Sequence, residues 1–201
     1  MSSREHILER VRRNLPKALP LPDVPLFDPP PADPLEAFTA ALARMGGTVL
    51  TPPPAVSLDR MIAERFPSAR VVCSATPEVT GTRDLAAVHE PAELEDVDVG
   101  VVRAAFGVAE TGSVFLSERE YGINAMGFLP QHLVVLLDPA AIVPNLHHAY
   151  RQRGFFEARY AVLMTGPSAT ADIEGVLIRG AQGIRSFTVI PVPSAGPPAR
   201  S

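Results

Sequence analysis

Residues 106–117, FGVAETGSVFLS, place a polar turn between two short apolar runs. Glu110 supplies a carboxylate that can act as a base, a nucleophile or a hydrogen-bond acceptor. Thr111 and Ser113 supply hydroxyls, and Gly112 lets the backbone turn or come close to a ligand. The same pattern is typical of a β-hairpin whose polar residues bond one another. The spacing predicts a strand, a turn and a second strand. The polar turn is interpreted either as a ligand site or as a purely structural turn.

Residues 165–175, TGPSATADIEG, form a second polar stretch after the apolar run 160–164. The pattern predicts a strand, a Gly-Pro-Ser loop and then a helix capped by Thr170, with Val176 and Leu177 facing the core. Free amides at the start of such a helix can hold an anionic group. The candidate ligand-binding residues here are Thr165, Gly166, Ser168, Thr170, Ala171 and Asp172. The loop is neither a Walker A loop nor GxGxxG, so the sequence gives little support for nucleotide binding.

Among the five histidines, His132 is the best candidate for a catalytic residue. It begins the continuous apolar run HLVVLL and follows the irregular segment 118–130. The alternative is a structural histidine at the end of a strand, bonded to backbone. No HxxxH or HExxH spacing occurs, so no metal site is predicted. Neither Ser113 nor Ser168 lies in a GxSxG context, so nothing indicates a serine hydrolase.

Helical periodicity alternates with apolar strands along most of the chain. Helices are predicted at 2–15, 33–45, 57–66 and 144–153, besides the one after Thr170, and strands at 48–50, 70–74, 98–102, 132–137, 160–164 and 186–192. This alternation predicts an α/β fold with a largely parallel sheet flanked by helices. Ligands of such sheets gather at the carboxyl ends of the strands, so the site is expected there.

The chain divides by composition into four segments. We predict an N-terminal amphipathic helix at 1–15, a proline-rich arm at 16–32, an α/β domain at 33–192 and a tail at 193–201. Residues 16–34 contain eight prolines, which are too many for a helix or an inner strand. An extended arm of this kind is able to reach a neighbouring subunit, so an oligomer formed through it is an open possibility.

Composition excludes several classes of function. The formal net charge of −4 gives no general electrostatic reason to bind nucleic acid or an anionic membrane. No apolar run approaches the 20 or so residues of a membrane span, and no secretory signal is present, so a cytoplasmic protein is expected. The single cysteine, Cys73, excludes a disulfide or an Fe–S cluster held by this chain alone. Cys73 is predicted to be a buried strand residue.

The two polar stretches carry a family resemblance. GVAETGSVFL resembles the AETG/ADTG signature of the LUD-domain family, in its lactate utilization protein C group. TGPSATADIEGVLIRGAQG is similar to the C-terminal signature of that family, and DVGVVRAAFGVAETG and LPQHLVVLL fit the wider pattern. The resemblance covers roughly residues 33–192, and the combined motifs are more specific than either alone.

The resemblance implies a fold like that of sugar-phosphate isomerases and CoA transferases. It also implies a role in oxidising L-lactate to pyruvate beside separate Fe–S subunits, with a small anionic or carboxylate ligand; it identifies no cofactor for this chain. The implied site comprises residues 110–113 and 165–172. Many members carry an arginine-serine-leucine-leucine-proline run before the histidine, whereas residues 124–130 here read NAMGFLP. Arg119 and Arg83 are the candidates to replace that arginine.

Two other functions stay open at this point. One is a stand-alone transferase or ligase that acts on an acyl or phosphorylated ligand, with Glu110 as the nucleophile. The other is a ligand-binding or assembly module without chemistry of its own. An acyl adduct at Glu110 would indicate the former.

Overall fold

A computed structural model describes residues 2–16, 19–20, 22–27, 30–171 and 176–194. The helices are α1 Ser3–Arg13, α2 Pro34–Arg44, α3 Leu58–Arg65, α4 Glu118–Tyr121, α5 Leu146–Ala149 and α6 Arg153–Glu157. The strands are β1 Thr48–Val49, β2 Val72–Ser74, β3 Val99–Arg103, β4 Phe106–Val108, β5 Ser113–Ser117, β6 His132–Leu137, β7 Ile142–Val143, β8 Ala161–Met164, β9 Ala169–Thr170, β10 Ile178–Arg179 and β11 Ser186–Pro191.

Side-chain caps begin the first three helices where the sequence predicts them. Ser2 and Glu5 form a complete capping box at α1. Asp33 accepts hydrogen bonds from two N–H groups of the first turn of α2, with Pro34 at the first helical position. Ser57 caps α3. These caps satisfy N–H groups that an α-helix leaves without an internal partner, so they fix where each helix starts.

Five strands form the central sheet in the order β1-β11-β6-β3-β2, and every pairing in it is parallel. Helices cover the sheet, so the predicted α/β class with a largely parallel sheet is confirmed. Cys73 is fully buried on β2, as predicted, and burial raises the pKa of its thiol.

Alternate residues of β6 point into two different cores, one on each face of the sheet. Leu133, Val135 and Leu137 pack with Phe38 and Leu42 of α2, on the α2 face. The core on the opposite, α3 face contains Val134 and Leu136 together with residues of α3 and Phe66 just after it. The strictly alternating pattern follows from the two-residue repeat of a strand.

A second sheet, which the sequence did not predict, has the order β7-β4-β5-β8. Its β4–β5 hairpin is the predicted strand-turn-strand, and β8 runs antiparallel to β5. Residues 160–164 were expected to supply a buried strand of the parallel sheet. Instead β8 lies at the edge of the second sheet and is only partly buried.

The helix predicted at 144–153 is wrong in its length and its end. Two short helices, α5 and α6, replace it, and Gly154 lies inside α6 rather than beyond a helix end. The turn between the helices brings Phe155 against Phe115 of β5 and Tyr150, with ring centroids 5.3 and 4.6 Å apart respectively. Aromatic packing against the second sheet, rather than helical periodicity, therefore determines the path of the backbone through α5 and α6.

The helix predicted after Thr170 is also wrong within the described residues. Thr170 lies in β9, which pairs antiparallel with β10. Val176 and Leu177 are 60% and 57% exposed rather than facing the core. The described residues 176–179 therefore present no buried apolar face that would stabilise a helix. Asp172 lies outside the described residues.

The N-terminal helix and arm are mainly exposed. The apolar stripe of α1 remains open, with Ile7, Val11 and Leu15 each more than half exposed. The arm contacts the body at its end, where Asn145 donates a hydrogen bond of 2.7 Å to the Leu26 carbonyl. The described helices include none that is long and apolar enough to cross a membrane.

Candidate functional site

The β4–β5 hairpin positions the first polar stretch at its turn. The N–H of Gly112 donates a hydrogen bond of 2.9 Å to the Val108 carbonyl and closes the turn, with Gly112 at a φ of 68°. Thr111 and Ser113 lie on either side of Gly112, and their side chains meet. The sequence prediction of a turn between two strands is therefore confirmed, and the polar residues of the turn lie close together.

Three hydroxyls join the two polar stretches, and we call them the hydroxyl chain: Thr111, Ser113 and Thr165. The Oγ atoms of Thr111 and Ser113 share a hydrogen bond of 2.7 Å. Ser113 Oγ also bonds Thr165 Oγ1, because the pairing of Val114 with Met164 brings β5 and β8 together there. Ser113 is buried, while Thr111 and Thr165 are half-buried at the two ends. Two hydrogen bonds use two of the three hydroxyl protons, so one proton and several lone pairs stay available.

Two glycines let this site press against the end of α2. A methyl group placed on Gly112 would lie 2.2 Å from the backbone nitrogen of Leu42. One placed on Gly166, which has a φ of 71°, would lie 2.6 Å from the Met45 carbonyl oxygen. The backbone of α2 thus occupies the space that a side chain on residue 112 would fill.

Glu110 lies exposed at the tip of the turn. Its Oε2 accepts a hydrogen bond of 3.1 Å from the Leu146 N–H at the start of α5. Its own N–H donates to the Pro144 carbonyl at 3.0 Å. Glu110 therefore connects the hairpin to α5 while the residue itself stays exposed.

The backbone of the second stretch is engaged by the segment before β11. Ser168 donates its N–H to the Ile184 carbonyl at 3.0 Å and accepts from the Gly180 N–H at 2.7 Å. The free amides expected at a helix start are therefore not present at Ser168. Thr170 is in β9 and the following Ala171 is exposed, so neither joins the hydroxyl chain.

His132 is separated from the hydroxyl chain by the central sheet. It follows the alternation of Val134 and Leu136, so its side chain lies on the α3 face. Its ring stacks on Phe66 at 4.7 Å, and Nδ1 shares a hydrogen bond of 2.7 Å with Ser186 Oγ. The structure therefore brings residues 110–113 and Thr165 together but does not bring His132 to them.

The hydroxyl chain and His132 both lie near the amino-terminal edge of the central sheet. The sequence predicts a site at the carboxyl edge, and that prediction is wrong. His132 is the first residue of β6. Gly166 contacts Met45, three residues before β1, and Ser168 contacts Ile184, two residues before β11. The correction arises because β8 belongs to the second sheet, so the loop after it is not at the carboxyl edge of the parallel strands.

Arg179 is a cation beside Gly46, next to the Met45 that Gly166 contacts, and the sequence interpretation missed it. A methyl group placed on Gly46 would lie 2.3 Å from Nη1 of Arg179, so the guanidinium covers the glycine after α2. The two arginines proposed from the sequence bind elsewhere: Arg119 pairs with Glu157 at 3.5 Å, and Arg83 pairs with Asp96. Only the register of β9 with β10 brings Arg179 here, and no local pattern in the sequence indicates that pairing.

Comparison with known proteins gives a family match that contains both polar stretches. The LUD domain model matches residues 82–192, which is more than half of the chain. The curated relatives include an uncharacterized protein, YkgG, of Escherichia coli K12, which is 30% identical over 97 residues, 45% of this chain and 42% of the relative. Lactate utilization protein C of Deinococcus radiodurans is 30% identical over 104 residues, 50% of this chain and 49% of the relative.

A third relative, lactate utilization protein C of Geobacillus kaustophilus, is 30% identical over 95 residues, 44% of this chain and 40% of the relative. The matched regions thus span less than half the length of these curated relatives. A crystal structure of a DUF162 family protein from Deinococcus radiodurans has a TM-score of 0.58 with this chain at 21% identity. The structural match covers 79% of this chain and 96% of the Deinococcus chain, so the two proteins share a fold.

Proposed function

Because the chain belongs to the LUD domain family, we propose that it is a component of a system that oxidises L-lactate to pyruvate. The observation that carries the proposal is that the family match contains both polar stretches, which hydrogen-bond to each other through Ser113 and Thr165. Relatives named lactate utilization protein C support lactate as the substrate.

The reaction requires an electron acceptor outside this chain. Oxidation of the carbinol group of lactate releases two protons and two electrons, while the carboxylate is unchanged. An Fe–S cluster is held by several cysteine thiolates, and this chain has only Cys73, which is buried. From the family resemblance we infer that separate Fe–S proteins accept the electrons, which agrees with a chain that contributes a ligand site without a cluster.

The hydroxyl chain and Arg179 supply groups that suit a small hydroxy acid. A guanidinium presents two parallel N–H donors to a carboxylate. Arg179 lies at the end of α2, against Gly46, and the Gly166 loop contacts the neighbouring Met45. We propose that Arg179 binds the lactate carboxylate and that the hydroxyl chain provides the hydrogen bonds to the lactate hydroxyl.

Growth on L-lactate tests the proposal in the source organism. A strain that lacks the gene is expected to lose growth on L-lactate and keep growth on pyruvate, and the wild-type gene should restore it. A Ser113→Ala gene should restore growth poorly, because the middle of the hydroxyl chain is removed. Ser194→Ala is the matched control, since Ser194 bonds Asp138 beyond β6 and should restore growth fully. Normal growth of the deletion strain on L-lactate would refute the proposal.

Glu110→Gln separates this function from the transferase alternative. Glutamine keeps an oxygen for the Leu146 N–H but cannot form an acyl or phosphoryl adduct. We expect this variant to support growth on L-lactate. Loss of growth with a folded protein, together with a hydroxylamine-sensitive adduct on wild-type Glu110, would favour the transferase.

A further inference from the structure

The N-terminal helix α1 has an apolar face that the rest of the described chain does not cover. Ile7, Val11 and Leu15 lie on that face and are each more than half exposed. No residue of α1 is buried, and the helix makes no extensive contact with any other described element. Because a short amphipathic helix gains most of its stability from packing its apolar face, the open face indicates a contact with another molecule.

Positive charge flanks the same face of α1. Arg10 and Arg12 lie one residue to either side of Val11, so each projects about 100° from it, on opposite sides of the apolar stripe. Both arginines are exposed, and neither forms an ion pair within the described residues. The neighbouring Glu9 pairs instead with Arg13 at 3.1 Å. The surface that α1 offers is therefore apolar in the middle and positive at its sides.

A groove with matching properties lies on the body of the protein, between two short 3-10 turns. The turns are Leu85–Ala87 and Pro91–Leu94, and the groove has a volume of about 480 Å³. We call it the 83–96 groove. Its apolar lining residues are Ala87, Val88 and Ala92, and Val88 belongs to the buried core on the α2 face. A lining of this kind suits the apolar stripe of an amphipathic helix.

Carboxylates surround the apolar lining of the 83–96 groove. The acidic lining residues are all exposed, and they are Asp84, Glu93, Glu95 and Asp96. One of them, Asp96, pairs with Arg83, which also lines the groove. The other three form no ion pair in the described part of the chain. The groove is therefore apolar in the middle and negative around it, which complements the surface of α1.

The whole chain divides its charge in the same way. Residues 1–15 contain four arginines and two glutamates, which is a net charge of +2, so the total of −4 leaves −6 for residues 16–201. Opposite charges on two surfaces steer their encounter and favour the complementary orientation. The helix of one molecule is thus attracted to the body of another.

The proline-rich arm gives α1 a reach beyond its own body. The far end of the arm is fixed, because Asn145 donates a hydrogen bond to the Leu26 carbonyl and the Phe27 ring lies against His147, with centroids 4.6 Å apart. Residues 14–25 separate this anchor from α1 and contain four prolines. That composition is typical of a semi-rigid spacer, and at about 3.1 Å per residue it spans roughly 37 Å.

We propose that α1 of one molecule docks in the 83–96 groove of a second copy of this chain. The exchange is reciprocal and gives a dimer with two-fold symmetry. The apolar stripe of α1 contacts the apolar lining, and Arg10 and Arg12 lie against the carboxylates around it. The interface uses neither the hydroxyl chain nor Arg179, so it does not depend on the lactate proposal.

Sedimentation velocity of the full chain over a range of concentrations tests this dimer. The wild type is expected to dimerise, with a dissociation constant that rises with salt because the charges are screened. The helix variant, Arg10→Glu with Arg12→Glu, should raise that constant about tenfold or more, since like charges then meet in the groove. Arg151→Glu with Arg159→Glu is the matched control at two exposed arginines outside α1, and it should dimerise as the wild type does.

A charge exchange between two variants makes the result decisive. The groove variant, Glu93→Arg with Glu95→Arg, should weaken self-association as the helix variant does. An equal mixture of the two variants should form dimers again, because each negative helix then meets a positive groove and each positive helix meets a negative one. A mixture that stays monomeric would refute the proposal, as would a wild type that is monomeric at low salt because α1 docks on its own chain.

Discussion

The two faces of the central sheet each hold polar residues near its amino-terminal edge, but they do so by different means. On the α2 face, Gly112 and Gly166 let backbone segments touch, and the hydroxyls of the chain bond one another. On the α3 face, the His132 ring stacks on Phe66, and the Arg65 guanidinium lies near that phenylalanine ring. The first site should therefore be sensitive to changes of shape, whereas the second should be sensitive to changes of charge.

Gly112→Ala should give the largest effect, because it breaks the shape-dependent site. The added methyl group would lie 2.2 Å from the Leu42 nitrogen, and the residue has a φ of 68°. We expect the free energy of unfolding to fall by about 2–5 kcal/mol in urea titration. Gly154→Ala is the control, since its methyl group would lie 3.7 Å from Phe115, in ordinary contact. Equal stability of the two variants would contradict the close contact with α2.

Asp98→Asn tests the charge-dependent face. The N–H groups of Val71 and Arg70 hold the pKa of Asp98 below its ordinary value. A carboxylate with a lowered pKa stabilises the fold above its unfolded pKa of about 4, and the contribution is lost as the pH falls through the folded value. We expect a loss of about 1–2 kcal/mol at pH 7 that shrinks in acid, measured by thermal unfolding across pH.

The same variant sharpens the comparison between the faces. Asp98 opposes the lowering of the His132 pKa, so its removal should lower that pKa further. The hydroxyl chain on the other face should not respond. A loss of stability that is the same at pH 3 and pH 7 would contradict the assigned role of the ionised carboxylate.

A double-mutant cycle of Ser113→Ala and Thr165→Val measures the hydroxyl chain itself. These two hydroxyls bond each other, so their effects on unfolding should not add. We expect a coupling energy of about 1 kcal/mol, in the range of a hydrogen bond in a partly buried site. Purely additive effects would indicate that the hydrogen bond does not form in solution.

Thr188→Val should give the smallest effect and the opposite sign. Thr188 is 1% exposed on β11, and its hydroxyl has no hydrogen-bond partner among the described residues. Replacing an unpaired buried hydroxyl by a methyl group should stabilise the protein by about 0.5–1 kcal/mol. A marked destabilisation in thermal unfolding would show that the hydroxyl is paired, and Thr188 would then resemble Ser113.

Local chemistry in the sequence predicted much of the fold. Asp33 and Ser57 begin helices because their side chains cap free N–H groups within three residues, a purely local interaction. The run 132–137 is a buried strand, and the turn at 110–113 is a hairpin, as predicted. The hydrogen bond between Ser113 and Thr165 also agrees with the interpretation of the two polar stretches as one region.

Long-range pairing accounts for what the sequence did not predict. An apolar run does not specify its partner strand, so β8 was assigned to the parallel sheet although it pairs with β5. For the same reason the sequence does not indicate Arg179, which lies against Gly46 because β9 pairs with β10. The sequence predicts His132 as a catalytic candidate, whereas the alternation of side chains on β6 places it on the opposite face from the hydroxyl chain.

Formation of pyruvate from L-lactate tests the central claim most directly. Extract of the deletion strain, supplemented with purified chain, should form pyruvate from L-lactate as the wild-type extract does. Arg179→Gln should lower the rate about tenfold or more, because the lactate carboxylate loses its guanidinium partner. Arg151→Gln, at an exposed arginine away from Gly46, should restore the full rate. A deletion extract that forms pyruvate at the wild-type rate without the added chain would contradict the claim.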